Sequence, residues 1–351
     1  MQTENLIIGG GISGLYLAYK LALQNKDFLL VEARDRLGGR IDNHQGMDLG
    51  PTWFWPGQRR MAGLAQELGI PVFEQQNKGD MLYEDPNVQS ERIPSQQHQM
   101  ISYRAEGGIS RFIQGLADKI PSDKVLLDHQ VTALSKMENG VSVSFSHEST
   151  NTSLSAKRIF LVLPPRLAAR NITFTPIFEE EVEKSMVSIP TWMAGQAKAL
   201  IHFERPFWRD QNLSGQAFSR QGPLMEIHDA SASSDAPYAL FGFIGGTPKQ
   251  RKEMGEEQLK AAITQQIIRL YGTDTPTPLN IIIKDWSGDK LTSTEGDMEP
   301  ISSHPNYGLP KTMTNLWDGR LIFSGTEVAS AEGGYLEGAL VAAEDAIMHI
   351  R

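Results

Sequence analysis

Apolar residues in this chain come in two spacings, and their alternation lays out the elements. LII (6–8), FLLV (28–31) and IFLVL (159–163) are short and unbroken, as for strands buried on both faces. Between the first two, SGLYLAYKLALQNK (13–26) spaces its apolar residues helically, so the chain opens strand, helix, strand. A helix is predicted over GQRRMAGLAQELGI (57–70), ended by Gly69 and Pro71. Residues 77–103 are polar, with a turn at YEDPN and one or two strands. EGGISRFIQGLADKI then puts Ile109, Phe112, Ile113, Leu116 and Ile120 on one helical face. KVLLDHQVTALSKMENGVSVSFS reads as strands with a turn at Asn139-Gly140. A strand-rich stretch from Arg166 to Asp297 includes one helix over KEMGEEQLKAAITQQIIRLYG (252–272). The chain closes with a strand, a glycine-rich turn and a helix of small residues, GRLIFSGTEVASAEGGYLEGALVAAEDAIMHI.

The first turn carries chemistry. LIIGGGISG places Gly9 at the exit from a strand, Gly11 where backbone can approach a pyrophosphate, and Gly14 where a helix packs on a sheet. Ser13 opens that helix, whose N-terminus presents amides and a positive dipole end to phosphate. Glu32, eighteen positions after Gly14, closes the second strand where a carboxylate can accept ribose hydroxyls. Strand, glycines, helix, strand and acid together indicate a dinucleotide site in an α/β, Rossmann-like domain.

The next residues select the dinucleotide. VEARDRLGGRI (31–41) adds Ala33, Arg34, the pair Gly38-Gly39, and Arg40, whose fork suits phosphate oxygens. Extended FAD uses such a segment and NAD does not. Here the chain resembles the flavin-containing amine oxidase family: monoamine oxidases, polyamine oxidases and L-amino acid oxidases. GTEVASAEGGYLEGAL (325–340) is similar to that family's C-terminal flavin segment. The resemblance implies a glutathione-reductase-type FAD-binding domain and an α+β substrate domain with a mixed sheet. The expected division is 1–76, 105–165 and 298–351 for the first, 77–104 and 166–297 for the second.

Site residues follow from the same resemblance. It implies Glu327, after Gly325, near the ribityl and phosphate chain, and Gly333 and Gly334 in close contact with the isoalloxazine. Leu336 and Tyr335 follow, the latter as one aromatic wall before the flavin. The second wall is not visible, because SGDKLTSTEGDMEPISSHPNYG departs from the family pattern; His304 and Tyr307 are the residues that could replace it. Val131 would recognise adenine through its backbone. Gly50, Pro51, Thr52 and Trp53 in GMDLGPTWFWPGQ would pass the isoalloxazine, with Phe54 and Trp55 as further pocket walls. Lys198, eight residues before Pro206 of PFW, would hold a water at flavin N5, and Trp286 would pack near the ring.

Composition narrows the rest. Hydrophobic content of 40% and charged content of 21% suit an ordinary soluble enzyme, and a net charge of −9 gives nucleic-acid binding no electrostatic support. The first strand begins almost at Met1 and no apolar run reaches the ~20 residues of a bilayer span, so a cytoplasmic protein off the membrane is expected. The eight histidines show no metal-binding spacing. The implied reaction is amine oxidation by hydride transfer to flavin N5, with O2 as reoxidant. Lys198, Tyr335 and Trp286 would be catalytic. The alternatives are an FAD-dependent desaturase or porphyrinogen-type oxidase, and a flavin-bound accessory protein without turnover. The short 77–104 segment, where monoamine oxidases insert a longer helical piece, implies a more open flavin. Either a homo-oligomer interface beside it or a broad groove for a large substrate would follow.

Because the chain contains no cysteine, a cysteinyl flavin link is excluded and FAD is expected to be non-covalent. Precipitation with trichloroacetic acid should leave all yellow colour in the supernatant; flavin retained in the pellet would contradict this.

Overall fold

The fold is that of a computed structural model, in which residues 2–95, 101–147, 150–233, 236–299, 301 and 303–350 are described. Strand Gln2–Ile8 pairs in parallel with Phe28–Val31 on one side and Thr150–Leu161 on the other. Strand pleating sends alternate residues to opposite cores. Ile7 joins Leu15, Phe112 and Leu340 on one face, and Leu6 and Ile8 join Leu134, Val143 and Leu161 on the other. Each such side chain, fully buried, contributes about 1.5–3 kcal/mol, which is why these runs are unbroken.

The full sheet has eight strands. Seven run in the order Thr173–Thr175, Gln130–Met137, Gly140–His147, Thr150–Leu161, Gln2–Ile8, Phe28–Val31, Val125–Leu126, and Leu321–Phe323 also pairs with Thr150–Leu161. Helix Ile12–Leu23 packs against the last helix, Leu336–Ile347, so the two glycine-rich ends of the sequence meet on one face.

A second sheet of seven strands runs Asn280–Asp285, Ala197–Phe203, Tyr238–Ile244, Leu224–Asp229, Leu213–Ser219, Asp80–Asp85, Val88–Ile93. It is mixed, because Leu213–Ser219 and Asp80–Asp85 are parallel while its other pairs are antiparallel. Ile201, Ile244, Ile263 and Ile267 bury one face against helix Glu256–Tyr271. Leu200, Ala239 and Phe241 on the other face pack on Met47 and Leu49 of the first domain.

Two expectations need correction. The helix over 252–272 is two helices, Pro248–Met254 and Glu256–Tyr271, because Gly255 takes φ +77° between them. The expected domain change at 166 comes too early. Strand Thr173–Thr175 pairs with Gln130–Met137, and Val182 and Met186 of helix Glu180–Ser188 lie in the first domain's core. The prolines after Leu163 end a strand, not a domain. Among the described residues no helix is long and apolar enough to cross a membrane.

The approach of the first helix to the first turn gives a stability test. A Cβ at Gly14 would lie 2.0 Å from the Gly9 carbonyl oxygen, whereas one at Gly63, within helix Arg59–Glu67, would meet nothing within 4 Å. Gly14→Ala should lose about 3 kcal/mol or more through overpacking, and Gly63→Ala should gain about 0.5–1 kcal/mol. Thermal unfolding at equal flavin loading measures both.

Candidate active site

A cavity of about 410 Å³ is lined by residues of the second sheet and of loops and helices outside both sheets. Gly11, Ser13, Gly38 and Arg40 form one end, Gly325, Thr326, Glu327, Gly334 and Leu336 its side, and Gly50, Pro51, Thr52, Trp53 and Lys198 the other end. A smaller cavity beneath the sheet edge is lined by Gly9, Glu32, Ala33, Arg34 and Val131, with Leu291 and His129. Of the expected cofactor residues all but Gly14, Gly39 and Gly333 line one cavity or the other, Gly11 the larger and Gly9 the smaller.

Local geometry explains the glycine cradle. Gly38 N–H donates to the Gly10 carbonyl at 2.8 Å, tying the second glycine turn to the first. Glu32 holds the first turn, accepting the Gly10 N–H at 2.7 Å and the Arg34 N–H at 2.8 Å. A Cβ on Gly11 would meet only the Gly38 oxygen, 4.0 Å away. Protein packing therefore does not require glycine there, and the clear space fits a group passing over the backbone. Arg34 pairs with Asp289 at 2.9 Å and donates to Thr292, closing the small cavity. The Ser13 hydroxyl donates to Ser324 O at 2.7 Å.

Glu327 is the most demanding group. It is 0% exposed, its only ionic partner among the described residues is Arg40 at 2.7 Å, and neither oxygen accepts a well-aligned hydrogen bond. A buried carboxylate in that state favours additional hydroxyl or N–H donors. The hydroxyl-bearing chain of FAD supplies such donors, so the residues present fit the cofactor. The Arg40 fork, expected on phosphate, turns to Glu327 and toward Trp192 O.

Lys198 lies on strand Ala197–Phe203, buried at 2% exposure. Its Nζ donates to Gly50 O at 3.0 Å and to Thr52 Oγ1, and stands 4.0 Å over the Phe241 ring. Burial pushes its pKa down to about 7; Asp48 opposes the shift and Arg104 adds to it. Burial likewise raises the Asp48 carboxyl, whose Oδ1 accepts the Ile109 N–H at 2.8 Å. This buried trio was not legible in sequence: Asp48 lies in the GMDLGPTWFWPGQ segment but nothing there pairs it with Lys198, and Arg104 carries no motif. Trp286 donates its indole N–H to Leu49 O at 3.1 Å and lines the cavity.

The aromatic rim departs from expectation. Trp55 meets Tyr335 edge-on at 5.4 Å, and Trp53 contacts Phe241 at 5.3 Å. Trp192, Met193, Gln196 and Phe243 also line the cavity, unforeseen because only strand pattern marks their segments. No described residue of 77–104 lines it, so the covering comes from these residues rather than from that insert. Gly333 and Gly334 make room for protein: their Cβ atoms would lie 2.3 Å from Tyr307 Cβ and 2.9 Å from His304 Nε2. Among the described residues no three metal-ligating side chains converge.

A domain whose sheet is parallel around the first strand and antiparallel through residues 130–161, with a two-part dinucleotide cradle and set against a second mixed sheet across an apolar cavity, defines a flavoprotein oxidoreductase. The profile described as flavin containing amine oxidoreductase matches residues 87–347, and that of an NAD(P)-binding Rossmann-like domain matches residues 7–68. The chain belongs to the flavin containing amine oxidoreductase family, whose cofactor is FAD. A probable flavin-containing monoamine oxidase A of Dictyostelium discoideum is 21% identical, covering 95% of this chain and 94% of that protein. An L-amino acid dehydrogenase of Synechocystis is also 21% identical, covering 97% and 93%. In fold, a wild-type putrescine oxidase bound to putrescine superposes with TM-score 0.81 at 19% identity, covering 100% of this chain and 99% of that one.

Replacing Arg40 by Ala removes a charged contact and leaves Glu327 buried without its cation. The FAD dissociation constant should rise by at least the tenfold to hundredfold equivalent to about 1.5–3 kcal/mol. Flavin fluorescence titration measures it, and an unchanged constant would make Arg40 mere surface charge.

Proposed function

We propose that this chain oxidises small amines with apolar carbon frames, with Lys198 assisting the return of electrons to O2. The observation that carries the reading is the buried Lys198 amine on the cavity wall, gripped by Gly50 O and Thr52 beneath an aromatic rim. FAD held by these residues would supply a two-electron acceptor for the hydride on the carbon bearing the amine and a donor to O2, so that amine and O2 would give imine and hydrogen peroxide.

The protein's own work is positioning and exclusion. Tyr335, Trp55, Trp53 and Phe243 present apolar surface to the carbon frame and keep water from it. Gly50 O and Thr52 Oγ1 hold the Lys198 amine at a fixed height on the wall, where it can order a water or offer positive charge. The charged groups among the described lining residues are Arg40, Lys198 and Glu327, and Arg40 is committed to Glu327. This leaves no free carboxylate for the distal ammonium of a diamine and no free guanidinium for an amino acid carboxylate. Peroxide release should therefore be greater with benzylamine and cyclohexylamine than with putrescine or amino acids. Turnover confined to amino acids would defeat this reading, and turnover of none of these with an intact flavin would favour the accessory-protein alternative.

Lys198 also sets a pH dependence. Its folded pKa lies below its ordinary value, so it loses its charge as pH rises through about 7 instead of near 10, a step shared with Asp48. Positive charge favours reduction of O2, so reoxidation should slow as pH rises through this window. Lys198→Met should be slow and flat across it, with flavin reduction by substrate less affected. Stopped-flow measurement of the two half-reactions checks both; equal effects on both would move Lys198 out of this role.

A further inference from the structure

His304, one of two residues that could supply a second aromatic wall, occupies an unexpected place. Its imidazole lies flat on the Tyr335 ring, centroids 4.5 Å apart and planes within 10°. Rings that close admit nothing between them, so His304 does not face Tyr335 across a substrate. It meets Trp192 edge-on at 4.7 Å, and Tyr307 at 5.6 Å. The Tyr307 hydroxyl donates to Pro190 O at 2.9 Å, fastening this segment to the one that carries Trp192. His304 thus bridges two cavity-lining rings that come from distant parts of the chain.

The Tyr335 main chain is already held: its N–H donates to Glu332 O at 3.2 Å and its carbonyl accepts from Thr326 Oγ1 at 2.9 Å. What remains free is the ring, bounded by Trp55 on one side and His304 on the other. His304 lies so close to Gly334 that a Cβ there would sit 2.9 Å from its Nε2. We infer that His304 is a positioning residue: its stack holds the Tyr335 ring toward Trp55 and sets the opening between Tyr335 and Trp192, hence the bulk of amine admitted. The substrate part of this inference rests on the amine-oxidase reading; the ring geometry does not.

The test compares holoenzyme carrying His304→Ala with His304→Phe, which keeps a flat ring. His304 is exposed, so neither change threatens the core. A ring stack corresponds to roughly 2–10-fold in an equilibrium. His304→Ala should lower kcat/KM for benzylamine by roughly that factor, chiefly through KM, and shift preference toward 1-naphthylmethylamine by a similar factor. His304→Phe should restore both to within about twofold of the starting protein. Independently of activity, the His304 Cε1 proton should resonate upfield in labelled protein, and Tyr335→Leu should abolish the displacement. An unchanged substrate preference in His304→Ala, or a resonance indifferent to Tyr335→Leu, overturns the inference. If no amine is turned over, the amine-oxidase reading falls, and the resonance still decides whether His304 holds Tyr335.

Discussion

The Gly38 N–H donates to the Gly10 carbonyl, and this contact joins two turns that would otherwise stand apart. It requires the first turn to be tight, which Glu32 enforces by accepting the Gly10 N–H, and the first helix to lie close, which Gly14 permits. It also fixes where Arg40 leaves the loop, and Arg40 in turn is the ionic partner of Glu327, buried before the last helix. The N-terminal and C-terminal segments therefore share one electrostatic arrangement. Cofactor site and fold depend on the same few backbone contacts.

The second constraint is the burial of Lys198. Removing an ammonium from water is costly, and the cost is reduced here by a carbonyl and a hydroxyl from the 50–52 loop, the Phe241 face of the second sheet and the buried Asp48 carboxyl. Gly50 and Thr52 lie in the segment that follows the first domain's glycine turns and Phe241 lies in the second sheet, so the two parts of the structure meet at a buried amine whose pKa is lowered by burial. Arg104 reinforces that junction, donating to Ser231 O and Ala230 O at 2.9 Å.

Much of the fold was legible because its signals are local. LII, FLLV, the glycine spacing and the Glu32 position each follow from buried parallel strands and a close helix. The family resemblance added Lys198, Tyr335 and Glu327, which the cavity brings together. What was not legible depends on distant partners. Trp192 has no periodicity to announce it, His304 could be named from the sequence but not placed, and the Asp48–Lys198–Arg104 trio is visible only when three separate segments are packed. The expectation for Gly333 and Gly334 differed for a related reason. A glycine pair declares that something comes close; His304 and Tyr307 do so here, while Gly334 also lines the cavity.

The rim follows from the same economy of space. A segment crossing so near the Gly333-Gly334 turn cannot stand off to form a wall facing Tyr335, so its imidazole settles onto the ring instead. The remaining approach to the cavity is then bounded by Trp55, Tyr335 and Trp192, three apolar rings with no free charge among them. Such a mouth offers an incoming amine aromatic surface but no carboxylate as a counter-ion. Which rings meet at the rim is thereby set by how closely the Gly333-Gly334 turn lets the 304–307 segment approach.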